Sequence, residues 1–188
     1  MAIWIWALGI TTWSILSFIL QLIAGVALLY SKSLINQEEI YGWYWALLGS
    51  SVIIILMIKA KIYLNVANHV GHITLAIYGI HKYSIGIFER DFGDYLAIGL
   101  TLIAAIILCW RLSKDKRFAK FLKYEMTLVA ASLIGMALLS SGIEIGWIPM
   151  FIAFVAGTIL MWKKEYYFLA AFQAGSIVIA VLGIIKLF

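Results

Sequence analysis

The chain has 188 residues, of which 65% are hydrophobic, 15% aromatic and only 12% charged, with 8 Trp, 10 Tyr, 10 Phe and a single Pro. Soluble domains carry roughly 25% charged residues. With a mean hydropathy of +1.04, this composition excludes disorder, a secreted disulfide scaffold and a cytosolic enzyme, and the lone Cys109 has no partner for a disulfide.

Taken in chain order, the charges divide the sequence into apolar runs. Met1–Ser31 carries no charged side chain, and neither do Ile40–Ile58, Ile62–His81, Tyr95–Trp110, Met126–Ile143, Ile145–Trp162 and Tyr166–Ile185. A spanning helix needs about 17–25 mostly apolar residues, so six of these runs qualify outright. Tyr95–Trp110 has 16 residues; a snorkelling Arg111 extends it to a span, the alternative being a re-entrant or interfacial helix. The first run has no basic n-region and is too long for a signal-peptide core, so it is expected to be retained as a span. The expected fold is an all-α integral membrane protein with seven transmembrane helices.

The loops then alternate sides. Lys59, Lys61, Arg111, Lys114, Lys116, Arg117, Lys120, Lys123, Lys163 and Lys164 fall on the side of the N-terminus, and Lys32, Lys82, Arg90 and Lys186 on the other. That bias of ten to four predicts a cytoplasmic N-terminus and a C-terminus outside. It also accounts for the net charge of +5, so no nucleic-acid partner is expected.

An internal repeat at an offset of 104 residues is the most informative feature. Gly42–Lys82 lies on Gly146–Lys186 without a gap, with identities that include Gly42/Gly146, Trp43/Trp147, Lys59/Lys163, Tyr63/Tyr167, Gly71/Gly175, Gly79/Gly183 and Lys82/Lys186. The repeat pairs spans two and three with spans six and seven. Four spans separate equivalents, so the copies point the same way, and span four is the linker that restores direction. The predicted architecture is a 3+1+3 parallel repeat: 1–83 as the first three-helix unit, 84–123 as linker helix and basic cytoplasmic loop, and 124–188 as the second unit. Transporters built on parallel repeats place their sites near the midplane at the repeat interface. Ala67/Gly71 and Ala171/Gly175 are equivalent small-xxx-small pairs that suit close helix packing.

Span three carries Asn65, Asn68, His69 and His72 at the i, i+3, i+4, i+7 spacing of one helical stripe. The repeat partners of His69 and His72 are Gln173 and Ser176. Polar side chains in hydrocarbon tend to face a cavity or a partner helix. The stripe is therefore a candidate substrate site, with a hydrogen-bonded helix seam as the alternative. Two imidazoles and an amide also raise the possibility of a metal, but Asn is a poor zinc ligand and no Cys or carboxylate lies nearby in sequence. No metal or other cofactor is expected. Trp43, Trp45 and Trp147 open spans two and six, either as part of an interfacial aromatic belt or as stacking platforms. There is no Gly-rich phosphate loop, Ser nucleophile elbow or HExxH, so no enzyme is expected.

The segments Glu144-Ile-Gly-Trp147, Lys163-Lys-Glu-Tyr-Tyr167 and Tyr41-Gly-Trp43, with Lys59-Ala-Lys-Ile-Tyr63 and Ile77-Tyr78-Gly79, resemble the PnuC family of vitamin transporters from about Thr12 to Phe188. The resemblance implies a SWEET-like 3+1+3 fold, a homotrimer in the inner membrane, and facilitated diffusion of nicotinamide riboside. Relatives carry thiamine or riboflavin. It also implies that Trp43 and Trp147 match the family's span-opening tryptophans, that a substrate-binding Gln falls at His69, and that Gln173 is the matching polar position in span seven. The competing reading is a non-transporting, metal-binding membrane protein. No Asp, Glu, Lys or Arg lies within the seven runs. Uniport is therefore expected, with a pocket lacking fixed charge that prefers a neutral or cationic nucleoside-like vitamin to its monophosphate.

Overall fold

Hydrocarbon offers a backbone no hydrogen-bond partner, so each apolar run must satisfy its own N–H and C=O groups, and the helix does this within one segment. The computed structural model describes residues 12–59, 63–85, 91–114, 121–163 and 166–188. Within them lie seven α-helices: α1 (Thr12–Ile35), α2 (Tyr41–Lys59), α3 (Tyr63–Ser84), α4 (Phe92–Lys114), α5 (Leu122–Ser140), α6 (Trp147–Lys163) and α7 (Tyr167–Ile185), with a 3₁₀ turn at Glu144–Gly146 before α6. The first eleven residues of the expected span one lie outside the described residues. By length and composition, six of the seven helices can cross a membrane. The exception, α3, is the helix that holds the polar stripe. Leu16, Phe18, Ile19 and Leu22 on α1 and Leu100, Ile103, Ile106 and Ile107 on α4 are exposed, as lipid-facing side chains should be. The chain is an all-α integral membrane protein.

The short fourth run is a full span of 23 residues. Charge counting stopped it at Asp94, but that carboxylate is neutralised inside the protein. Asp94 is 1% exposed and accepts hydrogen bonds from Lys82 Nζ at 2.6 Å and from the Tyr78 hydroxyl at 2.7 Å. A charge met by an opposite charge from a neighbouring helix no longer marks the end of a span.

The offset of 104 residues recurs in three dimensions, and it reaches into α1 and α5, where sequence identity is sparse. Both helices end in the same turn: Glu38 N–H bonds Ile35 O and Glu39 N–H bonds Leu34 O, while Gly142 N–H bonds Leu139 O and Ile143 N–H bonds Leu138 O. This is the Schellman pattern, which requires a left-handed residue. Glu38 (φ 61°) and Gly142 (φ 69°) fill that role at equivalent positions. The next helix then packs back closely. A Cβ on Gly42 would meet Ser31 O at 2.9 Å, and one on Gly146 would meet Gly135 O at 2.7 Å.

Contacts between the halves are reciprocal. Helix α3 packs on α5, and α7 packs on α1. Gly71 of α3 faces Leu133 of α5, and Gly175 of α7 faces Leu29 of α1; Leu29 and Leu133 are themselves 104 residues apart. The glycines of the small-xxx-small pairs thus make the cross-repeat contacts, while Ala67 and Ala171 face outward. Within each half an indole lies on a glycine. A Cβ on Gly79 would sit 2.6 Å from Trp43, and one on Gly183 would sit 2.5 Å from Trp147. The linker α4 packs mainly against α5.

Candidate functional site

All six helices of the paired halves, but not α4, line a central cavity of about 80 Å³. A single water needs roughly 10–15 Å³ of such space, so the cavity has room for several waters or part of a small molecule. The lining follows the repeat: Ile35 faces the cavity with Leu139, Met57 with Met161, Asn68 with Phe172, and His69 with Gln173. A site on the pseudo-twofold axis between parallel repeats is where transporter folds bind substrate.

The polar stripe of α3 points into this volume. Asn68, His69 and His72 all line it, joined from α7 by Gln173. Asn68 is 3% exposed, and its Oδ1 accepts from the Ser132 hydroxyl at 3.3 Å. Three other buried polar atoms have no protein partner: His69 Nδ1, His72 Nε2 and Gln173 Oε1. Buried polar groups are rarely left unpaired, and here three of them converge on one cavity. The His69 and His72 rings meet edge to face with centroids 5.3 Å apart. The side chain of Asn65 lies outside the described residues.

The remaining candidates divide. Trp147 lines the cavity, whereas Trp43 does not. Trp43 is fully buried against Gly79 and near the Tyr83 ring, at 6.0 Å between centroids. Trp45 is exposed and packs against Tyr30, the amphipathic placement of an interfacial belt. Ser176 is 1% exposed. It does not line the cavity itself, but its hydroxyl accepts a hydrogen bond from a residue that does.

That residue is Lys32, and it corrects the expectation of a pocket without fixed charge. The charge-free run ends at Ser31, so Lys32 reads as a loop residue at a helix end. Helix α1 instead continues to Ile35, and the lysine sits one turn inside it, on the face that lines the cavity. Its Nζ donates to Ser176 Oγ at 2.7 Å and lies 4.3 Å from the centroid of the Phe154 ring. The long aliphatic stem lets the ammonium reach from the helix end into the site. Phe154, Phe172, Ser50 and Ser132 also line the cavity and were not singled out from sequence, because nothing distinguishes them from other aromatic and small residues in apolar helices.

The cavity is bounded at both ends. Towards the ends of α1 and α5 lies a second cavity of about 110 Å³, lined by Asn36, Glu38, Tyr83, Gly142, Glu144 and Lys186 among others. Ile35, Leu139 and Trp147 line both cavities and so form the wall between them. At the opposite end Met57, Met161, Leu128 and Leu169 close the space within an apolar cluster. Among the described residues, no group of three His, Cys, Asp or Glu side chains could hold a metal ion.

A mostly apolar cavity with a few converging polar groups, set between two repeated helical units and walled at each end, is the arrangement of a membrane transporter. The sequence profile of the family described as nicotinamide mononucleotide transporter matches residues 18–187, and the chain belongs to that family, the PnuC family. Neither the curated proteins nor the solved structures yielded a match.

Proposed function

We propose that this protein carries a nucleoside-like vitamin of the nicotinamide class across the inner membrane by facilitated diffusion, with the central cavity as its substrate site. The observation that carries this reading is the convergence of His69 Nδ1, His72 Nε2 and Gln173 Oε1, each buried and unpartnered, on a cavity shared by both repeats of a family of transporters. Imidazoles and amides suit ribose hydroxyls and a pyridine carboxamide, and the Phe154, Phe172 and Trp147 rings supply faces for a heterocycle. The residues 1–83 and 124–188 act as the two moving units, and the N-terminus faces the cytoplasm, so the second cavity opens outward. By family resemblance the working assembly is a trimer.

The mechanism is uniport. Among the described residues no Asp or Glu lines the cavity, so none of them places a carboxylate there to carry a proton or hold sodium between the two faces. The substrate gradient alone then supplies the driving force. Purified protein in proteoliposomes should take up a nicotinamide nucleoside or nucleotide with no imposed ion gradient and equilibrate it across the membrane. Uptake that requires a proton or sodium gradient would remove the uniport reading. A panel of nicotinamide, thiamine and riboflavin derivatives that leaves thermal stability unchanged at every concentration would remove the substrate reading, since a bound ligand raises stability by mass action.

A further inference from the structure

We propose that Lys32 is the anion-recognising residue of the central cavity, so that the preferred ligand carries a carboxylate or a phosphate. This rests on the transport reading above and narrows its substrate to an acidic form of the vitamin.

An ammonium has three donors and no acceptor. One donor goes to Ser176 Oγ at 2.7 Å. That hydroxyl gives its own hydrogen to Phe172 O at 2.9 Å, so it is committed to accepting from Lys32. The second partner is the face of the Phe154 ring. Both are neutral. Among the described residues the ion pairs are Lys82–Asp91 and Lys82–Asp94, and none reaches Lys32. Glu38 and Glu144 line the second cavity and not the first. A partly buried cation whose protein partners are all neutral lacks a counter-charge, and an anion entering the cavity supplies it. A cationic pyridinium with no acidic group meets repulsion in the same place.

The charge is also one-sided. The repeat equivalent of Lys32 is Met136, which lines the opposite side of the cavity. Ser176 is the equivalent of His72, so the second repeat gives up a cavity-lining polar group in order to hold the ammonium. An acidic group is thereby drawn towards α1 and α7, while the unpartnered imidazoles of α3 are left for the neutral part of the ligand. Lys32 is a specificity-determining residue, and the asymmetry sets the orientation of the bound molecule.

The test measures binding of three probes to the full-length protein: nicotinamide riboside, whose ring is cationic and which has no acid; nicotinic acid riboside, which adds a carboxylate; and nicotinamide mononucleotide, which adds a phosphate. Wild type should bind at least one acidic probe about tenfold or more tightly than nicotinamide riboside, the scale of a charge-assisted hydrogen bond. The arm that gains identifies which acid is read. Lys32→Met places in the first repeat the residue its partner Met136 already carries. It should remove that preference, weakening the acidic probes and tightening nicotinamide riboside, which no longer meets the ammonium, while Lys32→Arg retains the preference. A wild-type preference for nicotinamide riboside, or an equal loss of all three probes in Lys32→Met, overturns the proposal. If none of the three binds, the nucleoside reading fails, and nicotinate against nicotinamide at millimolar concentration decides this one. Stabilisation by the acid that disappears in Lys32→Met upholds the anion site, and equal behaviour of acid and amide overturns it.

Discussion

His69 and Gln173 are equivalent positions of the two repeats, and each leaves a buried polar atom unpartnered in the same cavity. Substituting either by Ala should weaken ligand binding by about 1–2 kcal/mol, the scale for losing a buried hydrogen bond. The melting temperature of the ligand-free protein should fall less in Gln173→Ala than in His69→Ala, which also loses the edge-to-face contact with His72. Titration calorimetry paired with melting in detergent separates the two effects, and a drop in stability without a change in affinity would make these residues a structural seam. At the turn after α1, Glu38 holds a left-handed conformation where Gly142 does so in the other half. Non-glycine residues pay about 1–2 kcal/mol there, partly offset by the larger backbone entropy of glycine in the unfolded chain. Glu38→Gly should therefore raise stability by up to ~1 kcal/mol, whereas Gly142→Ala should lower it by about 1 kcal/mol. Thermal melting of both variants checks the pair. The polar stripe was legible in the sequence because the i, i+3, i+4, i+7 spacing sets four polar side chains on one helical face. Lys32 was not, because a charge at the end of an apolar run looks the same whether its stem turns out towards water or into a cavity.

Helix α4 shows how one ion pair joins elements. It carries a broad lipid-exposed apolar face and packs mainly on α5. Asp94, through Lys82 and Tyr78, ties its N-terminal end to α3. Removing Asp94 takes from Lys82 its shorter and buried ion pair and leaves the half-exposed Asp91 at 3.4 Å, at a cost of up to about 3–5 kcal/mol, that of an uncompensated buried charge. Asp94→Ala should lower stability on that scale, and Lys82→Met combined with Asp94→Leu should recover much of it, since a well-packed apolar pair needs no counter-charge. Thermal unfolding of the single and double variants measures the difference; equal loss in both would mean that hydrogen bonding by Asp94, rather than charge balance, holds α4. The equivalent lysine of the second repeat, Lys186, donates instead to the Asn36 carbonyl. The same residue thus does different work in the two copies. The glycines behave more uniformly: Gly79 and Gly183 each make room for an indole, which is why glycine and tryptophan recur together at the fixed offset.

At the scale of the whole molecule, the bias of ten basic residues to four predicts that reporter fusions will place the N-terminus in the cytoplasm and the C-terminus outside. Both termini on one side would mean an even number of spans and would break the parallel relation of the repeats. The sequence by itself determined the environment, the seven helices of the described residues and the repeat. A bilayer permits few structures, and a gap-free match of Gly, Trp, Tyr and Lys at 104 residues survives without any coordinates. Sequence identity faded in α1 and α5, yet the equivalent Schellman turns and the reciprocal contacts of Gly71 with Leu133 and Gly175 with Leu29 extend the symmetry there. Backbone geometry and packing volume persist after identities have drifted. Only the tertiary structure decided which polar groups share a cavity, that Trp147 lines it and Trp43 does not, and that Lys32 brings a positive charge to it. Those are contacts between residues more than a hundred positions apart, and they depend on side-chain direction, which helical periodicity constrains along one helix but not across six.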